Sequence, residues 1–383
     1  LAQDFQVPAT SGLFDRVSKT PAAQSFARRL ESGGALSLAG IAAPAQPYFA
    51  ALLHHLCPRR PIVVVTDGLK AQESFQQDLE TWMRAEPGAE PGVQSPESRV
   101  ESPQLSTLKT KPLFYPAWEI LPHEGKLPPT DVIAERLETL VALSADLGLK
   151  AQDSGLAVTS VTALLQKTFP PDELKQRTRE LQRGDRVNTL DLVEWLEAQG
   201  YEPEAQVTQK GEIAMRGGIV DVFPPTIPWP VRLEFFGDEL ESLREFDPLT
   251  QISRGEITSV TVPPAGELGI LKLELERGSA TRSTSDPADK SSCGTQSRAP
   301  LATLLDYLPR ETILLLCEPE QLAARADEYA EQVPANDPFL IGWEEFLANL
   351  DKRGMTCITV CDDESPSPGL PATLSPSDGE RDG

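Results

Sequence analysis

Two kinds of apolar run alternate along this chain. Residues 62–66 (IVVVT) and 312–316 (TILLL) are nearly unbroken, as in strands covered on both faces of a parallel sheet. Around them apolar residues recur at helical spacing and predict helices over 22–30, 48–56, 69–82 and 130–144. The last carries Val132, Ile133, Leu137, Leu140 and Val141 on one side, with Thr130 as its cap. A small strand ends near Gly40, another spans 113–115, and 157–169 reads as a strand and a short helix. Past residue 300 come a helix, the 312–316 strand, a helix from Gln321, a further helix within 338–350 and a strand over 355–360. Strand, loop and helix in this rhythm predict an α/β fold.

Between 209 and 253 the pattern changes to alternation. Ile213 and Met215 alternate with polar neighbours, Ile219, Val220, Val222 and Phe223 form a short apolar run, and Val231, Leu233 and Phe235 alternate with Arg232 and Glu234. Such runs predict half-buried strands. Gly237-Asp238 predicts a two-residue hairpin turn, with Phe235 and Leu243 near each other across it. Arg216-Gly217-Gly218 sets a cation before two residues without Cβ, where the backbone can bulge and the guanidinium can project toward a planar carboxylate. The same spacing suits an intramolecular ion pair, and periodicity does not choose between the two. A helix over 190–199, capped by Thr189 and ended by Gly200, precedes this sheet.

These patterns divide the chain into a loose lead-in (1–21), an α/β lobe (22–170), a small α+β domain (171–263), a return to the lobe (264–335), the opening of a further small domain (336–361) and a disordered tail (362–383). Two low-complexity stretches read as insertions, 86–111 flexible and 278–299 disordered. The length of 383 residues suits two or three domains, and no apolar run reaches membrane-spanning length. A formal net charge of -23 argues against a protein whose main task is gripping phosphates. The basic run Lys175, Arg177, Arg179, Arg183 and Arg186 reads as a solvated surface. Cys57, Cys293, Cys317, Cys357 and Cys361 are scattered and odd in number, as in reduced cytoplasmic proteins, and no metal site is expected from them. The N-terminus lacks a secretory pattern, which again points to the cytoplasm.

The run EIAMRGGIVDVFPP (212–225), followed by PVRLEFFGDELESLREFDPLTQ (230–251), resembles the second domain of the nucleotide-excision-repair protein UvrB and the matching module of the transcription-repair coupling factor Mfd. KPLFYPAWEILPHE and TDVIAERLETLVALS resemble the Mfd family in the same way. The resemblance implies a module that docks onto UvrA, with Arg216 on the docking surface and Gly217, Gly218 and Glu212 beside it. It also implies a RecA-like lobe, like domain 1 of UvrB, interrupted by a UvrA-interaction domain built on an antiparallel sheet.

UvrB has a phosphate loop after the first strand, GxxxxGK[ST], whose backbone amides, lysine and hydroxyl hold phosphate and magnesium. On that frame this chain keeps Gly40 but has Ala45, Gln46 and Pro47 where the second glycine, the lysine and the hydroxyl belong. At the acidic box, Cys317 stands where a metal-organising Asp belongs and only Glu318 survives; a thiol does not replace a hard oxygen ligand for magnesium. The expectation is a non-catalytic, cofactor-free recruitment module of the Mfd type, the alternative being a divergent UvrB-like ATP-dependent repair enzyme. RNA polymerase and DNA are expected as partners only through family domains that these residues do not include, and no membrane partner is expected. Trp118 is expected to pack rather than to touch DNA.

Overall fold

The computed structural model describes residues 11–31, 33–84, 111–144, 155–283 and 300–362. The first stretch of chain forms α1 (Ser11–Ser18), α2 (Pro21–Glu31), β1 (Ala35–Leu38), α3 (Gln46–Leu56), β2 (Ile62–Thr66), α4 (Leu69–Arg84), β3 (Leu113–Tyr115), α5 (Thr130–Leu143), β4 (Leu156–Ser160) and α6 (Val161–Leu165). Helix α7 (Pro171–Gln176) leads into β5 (Arg179–Gln182), α8 (Thr189–Ala198), β6 (Glu202–Pro203), β7 (Glu212–Arg216), β8 (Ile219–Val222), β9 (Val231–Phe236), β10 (Glu239–Phe246), β11 (Ser253–Ile257) and β12 (Ser259–Val262). The chain returns through α9 (Leu268–Ser283), β13 (Ile313–Cys317), α10 (Pro319–Gln332), α11 (Trp343–Arg353) and β14 (Thr356–Val360).

Six parallel strands make one sheet in the order β1-β14-β13-β2-β4-β3. Its central strands are apolar on both faces because each face is covered. Ile62, Val64, Ile313 and Leu315 point toward α1, α3 and α4. Val63, Val65, Leu314 and Leu316 point toward α5, α6, α10 and α11. Three expectations are corrected here. The strand expected to open a further domain over 336–361 is β14, which lies between β1 and β13 and completes this sheet. The lead-in contains α1, whose Phe14 is buried against the rings of Tyr48 and His55. Thr130 is the first residue of α5 rather than its cap, Pro129 being the cap.

The second sheet has the order β11-β10-β9-β8-β7-β6 and is antiparallel except where β6 meets β7. Alternate residues Ile213, Val220, Val222, Val231, Leu233 and Leu243 face Leu192 and Leu196 of α8 and the two-stranded ribbon β5–β12. The Gly237-Asp238 turn is present and pairs Phe236 with Glu239, so Phe235 lies opposite Leu240 and not Leu243; a bulge between Leu240 and Ser242 then sets Leu243 opposite Leu233. Asn188 rather than Thr189 caps α8, its side-chain oxygen accepting from the backbone N–H of Leu190 and Asp191. Helix α9 continues to Ser283, into the insertion expected from residue 278. The remainder of that insertion, residues 86–110 of the other, the tail from 363, residues 1–10 and Cys293 lie outside the described residues.

Candidate functional site

Arg216-Gly217-Gly218 forms the tip of the β7–β8 hairpin rather than a bulge, with Arg216 paired to Ile219. Gly217 has φ of +62°, and a Cβ on Gly218 would stand 2.8 Å from the carbonyl oxygen of Phe235. The same approach lets Phe235 N donate to Gly218 O at 2.7 Å. The tip is thus pinned onto β9, Gly218 allowing the close approach and Gly217 the positive φ of the turn. Residues 215–218 are all exposed. Among the described residues Arg216 makes no ion pair. Its Nη2 donates to Ala205 O at 2.7 Å.

Side chains alternate across a strand, so Arg216 shares a face of the sheet with Ala214, Asp221, Arg232, Glu234 and Arg244. Asp221, Arg232, Arg244 and Glu256 stand directly opposite one another across four strands. Arg232 forks onto the buried Asp221 at 2.7 and 2.8 Å, and this pairing raises its already high pKa. Arg244 lies 3.7 Å from Glu234 and 3.6 Å from Glu256. This charged ladder was not singled out in the sequence, although the Arg232-Leu233-Glu234 alternation signalled it. Glu212 stands at the opposite end of β7 from Arg216, not beside it. Its Oε2 accepts from Thr208 N at 2.7 Å, Gln209 N at 2.9 Å and Thr208 Oγ1 at 3.1 Å, closing the turn that leads into the strand.

Gly40, Gln46, Pro47, Cys317 and Glu318, expected at altered phosphate-loop and acidic-box positions, come together at the carboxyl ends of β1, β13 and β14. Gly40 follows β1 with φ of +74°, residues 43–45 form a single 3-10 turn, and Gln46 and Pro47 open α3, both buried. Gln46 Nε2 donates to Glu318 Oε1 at 2.7 Å and to Ile41 O at 3.2 Å. Glu318 holds a left-handed conformation, with φ of +54°, and the same Oε1 accepts from Asp362 N at 3.1 Å. Cys317 ends β13 with a buried thiol whose pKa is pushed up, chiefly by burial and then by the Glu318 carboxylate. Buried and deprotonation-resistant, that thiol is inert. An amide and a carboxylate are thus bonded to each other at the carboxyl ends of these strands.

Trp118 is fully buried and donates to Glu267 at 2.8 Å. The basic run is more engaged than a solvated surface: Arg177 bonds Glu173, Gln199 and Glu274, and Arg179 lies over the Trp195 ring.

A family model described as the UvrB interaction domain matches residues 180–268, which span the second sheet. The transcription-repair-coupling factor of Haemophilus influenzae is 29% identical over 298 residues, covering 73% of this chain and 24% of that protein. The factor of Escherichia coli is 33% identical over 159 residues, covering 42% of this chain and 13% of the relative, and that of Mycobacterium bovis is 33% identical over 240 residues, covering 55% and 19%. The chain spans about a quarter or less of the length of these relatives. Residues 180–268 thus match the UvrB interaction domain, in a chain that is similar to one part of the transcription-repair-coupling factors.

Proposed function

We propose that this chain is a non-catalytic cytoplasmic module that recruits UvrA for transcription-coupled nucleotide excision repair, with Arg216 as the anchor and the Gly217-Gly218 backbone beside it. The observation that carries this reading is the tip of the β7–β8 hairpin. Its backbone is fixed on β9, its residues are exposed, and the guanidinium spends one donor on a carbonyl. An exposed arginine on a rigid element is a common interface anchor, because little freedom is lost when it is buried by a partner. Glu212 contributes by fixing the turn before β7.

A RecA-like lobe formed by 11–170 and 264–361, with 171–263 inserted between, is supported by a single parallel sheet drawing strands from both flanks. The non-catalytic reading is supported by Gln46 and Glu318, which meet at the carboxyl ends of the strands, where ligands of parallel sheets bind.

Isothermal calorimetry with UvrA from the same organism tests the assignment. Arg216→Ala is expected to weaken binding at least tenfold, about 1.4 kcal/mol, with circular dichroism unchanged because the side chain is exposed. Unaltered affinity removes Arg216 from the interface. A parent chain that ignores UvrA at micromolar concentration removes the reading as a whole.

A further inference from the structure

The core of the interaction domain and the core under the parallel sheet are separate. Leu181, Leu192, Leu233, Val262 and Ala265 belong to one cluster, while Leu268 and Leu271 already belong to the other. The chain crosses between them at Glu267, which is fully buried, as is Arg136 of α5. Arg136 forks onto this carboxylate, with Nε donating to Oε2 at 2.7 Å and Nη2 to Oε1 at 3.0 Å. Trp118 Nε1 donates to Oε2 as well. The rest of the guanidinium is also engaged: Nη1 donates to Pro116 O at 2.7 Å and Nη2 to the Tyr115 hydroxyl at 2.6 Å, with the Tyr115 and Trp118 rings against the cation.

The other connections include the β5–β12 ribbon, which carries the chain in and out of the domain, the bonds from Ala265 N and Gly266 N to Gln199 O, and Arg177, which joins Gln199 to Glu173 and Glu274. Two separately packed bodies joined in this way turn against each other by default. A forked arginine–carboxylate pair is geometrically strict. When it is buried with its donors used, its contribution is more to a unique arrangement than to net stability.

We propose that Arg136 and Glu267 form an orienting anchor that fixes the angle at which the interaction domain stands on the parallel-sheet lobe. The anchor acts whatever the domain binds, so it stands or falls separately from UvrA recruitment. Spin labels on ketone-bearing residues introduced at the exposed positions Glu239 and Lys352 of the full chain leave the five native cysteines untouched. Pulsed electron paramagnetic resonance between them reads the domain-to-lobe distance. The parent is expected to give one narrow distribution. Glu267→Gln, which removes the charge at constant volume, and Arg136→Lys, which keeps the charge but not the fork, are each expected to widen it at least twofold without loss of secondary structure. An unchanged width in Glu267→Gln overturns the proposal. So does global unfolding of that variant, which makes the pair an element of core stability, and so does a narrow distribution in Arg136→Met/Glu267→Met, which makes apolar packing sufficient.

Discussion

Gly217 and Gly218 sit side by side yet resist substitution for different reasons. At Gly217 the obstacle is the backbone, φ of +62° with open space around the missing Cβ; Asn tolerates that conformation better than other side chains. At Gly218 the obstacle is contact, because the new Cβ meets the Phe235 carbonyl at 2.8 Å and the carbonyl belongs to β9. Relieving it means moving one strand against another, a backbone shift of the kind that costs about 1–3 kcal/mol. Urea denaturation is therefore expected to show Gly217→Asn within about 1 kcal/mol of the parent and Gly218→Ala clearly less stable. Equal losses at the two positions contradict the packing described for the tip.

At the scale of elements, the informative tie is the one from α3 to the loop after β13. Gln46 lies 272 residues from Glu318, and their bond, together with that from Asp362 N, joins the ends of three strands. A hydrogen bond to a charged group is worth about 1.5–3 kcal/mol, less here because the site is partly open. Gln46→Ala is thus expected to melt a few degrees lower. On the proposed non-catalytic reading, ATP with magnesium is expected to move the melting temperature of neither form, since Glu318 places a negative charge beside Gln46. A clear upward shift of the parent with ATP revives the enzymatic alternative.

The same elements indicate what was legible beforehand. β2 and β13 were readable because burial on both faces leaves an unbroken apolar run, and the second sheet because burial on one face leaves alternation. β14 was readable as a strand but not as a neighbour of β1, because sequence carries no record of which edge a late strand joins. The Phe235–Leu243 pairing failed because the two-residue turn itself sets Phe235 opposite Leu240, and the bulge that follows in β10 gives Leu243 to Leu233. The α8 cap moved by one because Asn188 and Thr189 both make good caps. Arg216 was legible as a projecting cation, whereas the Gln46–Glu318 bond and the Arg136–Glu267 pair join residues too distant in sequence for any local pattern to couple them.

For the molecule as a whole, the distribution of cations matters more than the net charge of -23. Nucleic-acid affinity comes from counterions released when several Lys or Arg meet phosphates together, and it needs them gathered on one face. Here Arg136, Arg177, Arg232, Arg244, Arg325 and Arg353 each face a carboxylate of the chain itself. Phosphates would have to displace those partners while approaching a surface of the wrong sign. Fluorescence anisotropy with a labelled DNA duplex of about 20 base pairs in about 150 mM salt is therefore expected to show no saturable binding up to about 10 μM, a concentration at which the tighter non-specific binders already associate. Micromolar binding whose logarithm falls steeply and linearly with that of salt would reveal a cationic face formed by groups outside these pairs, and with it a direct role in holding DNA.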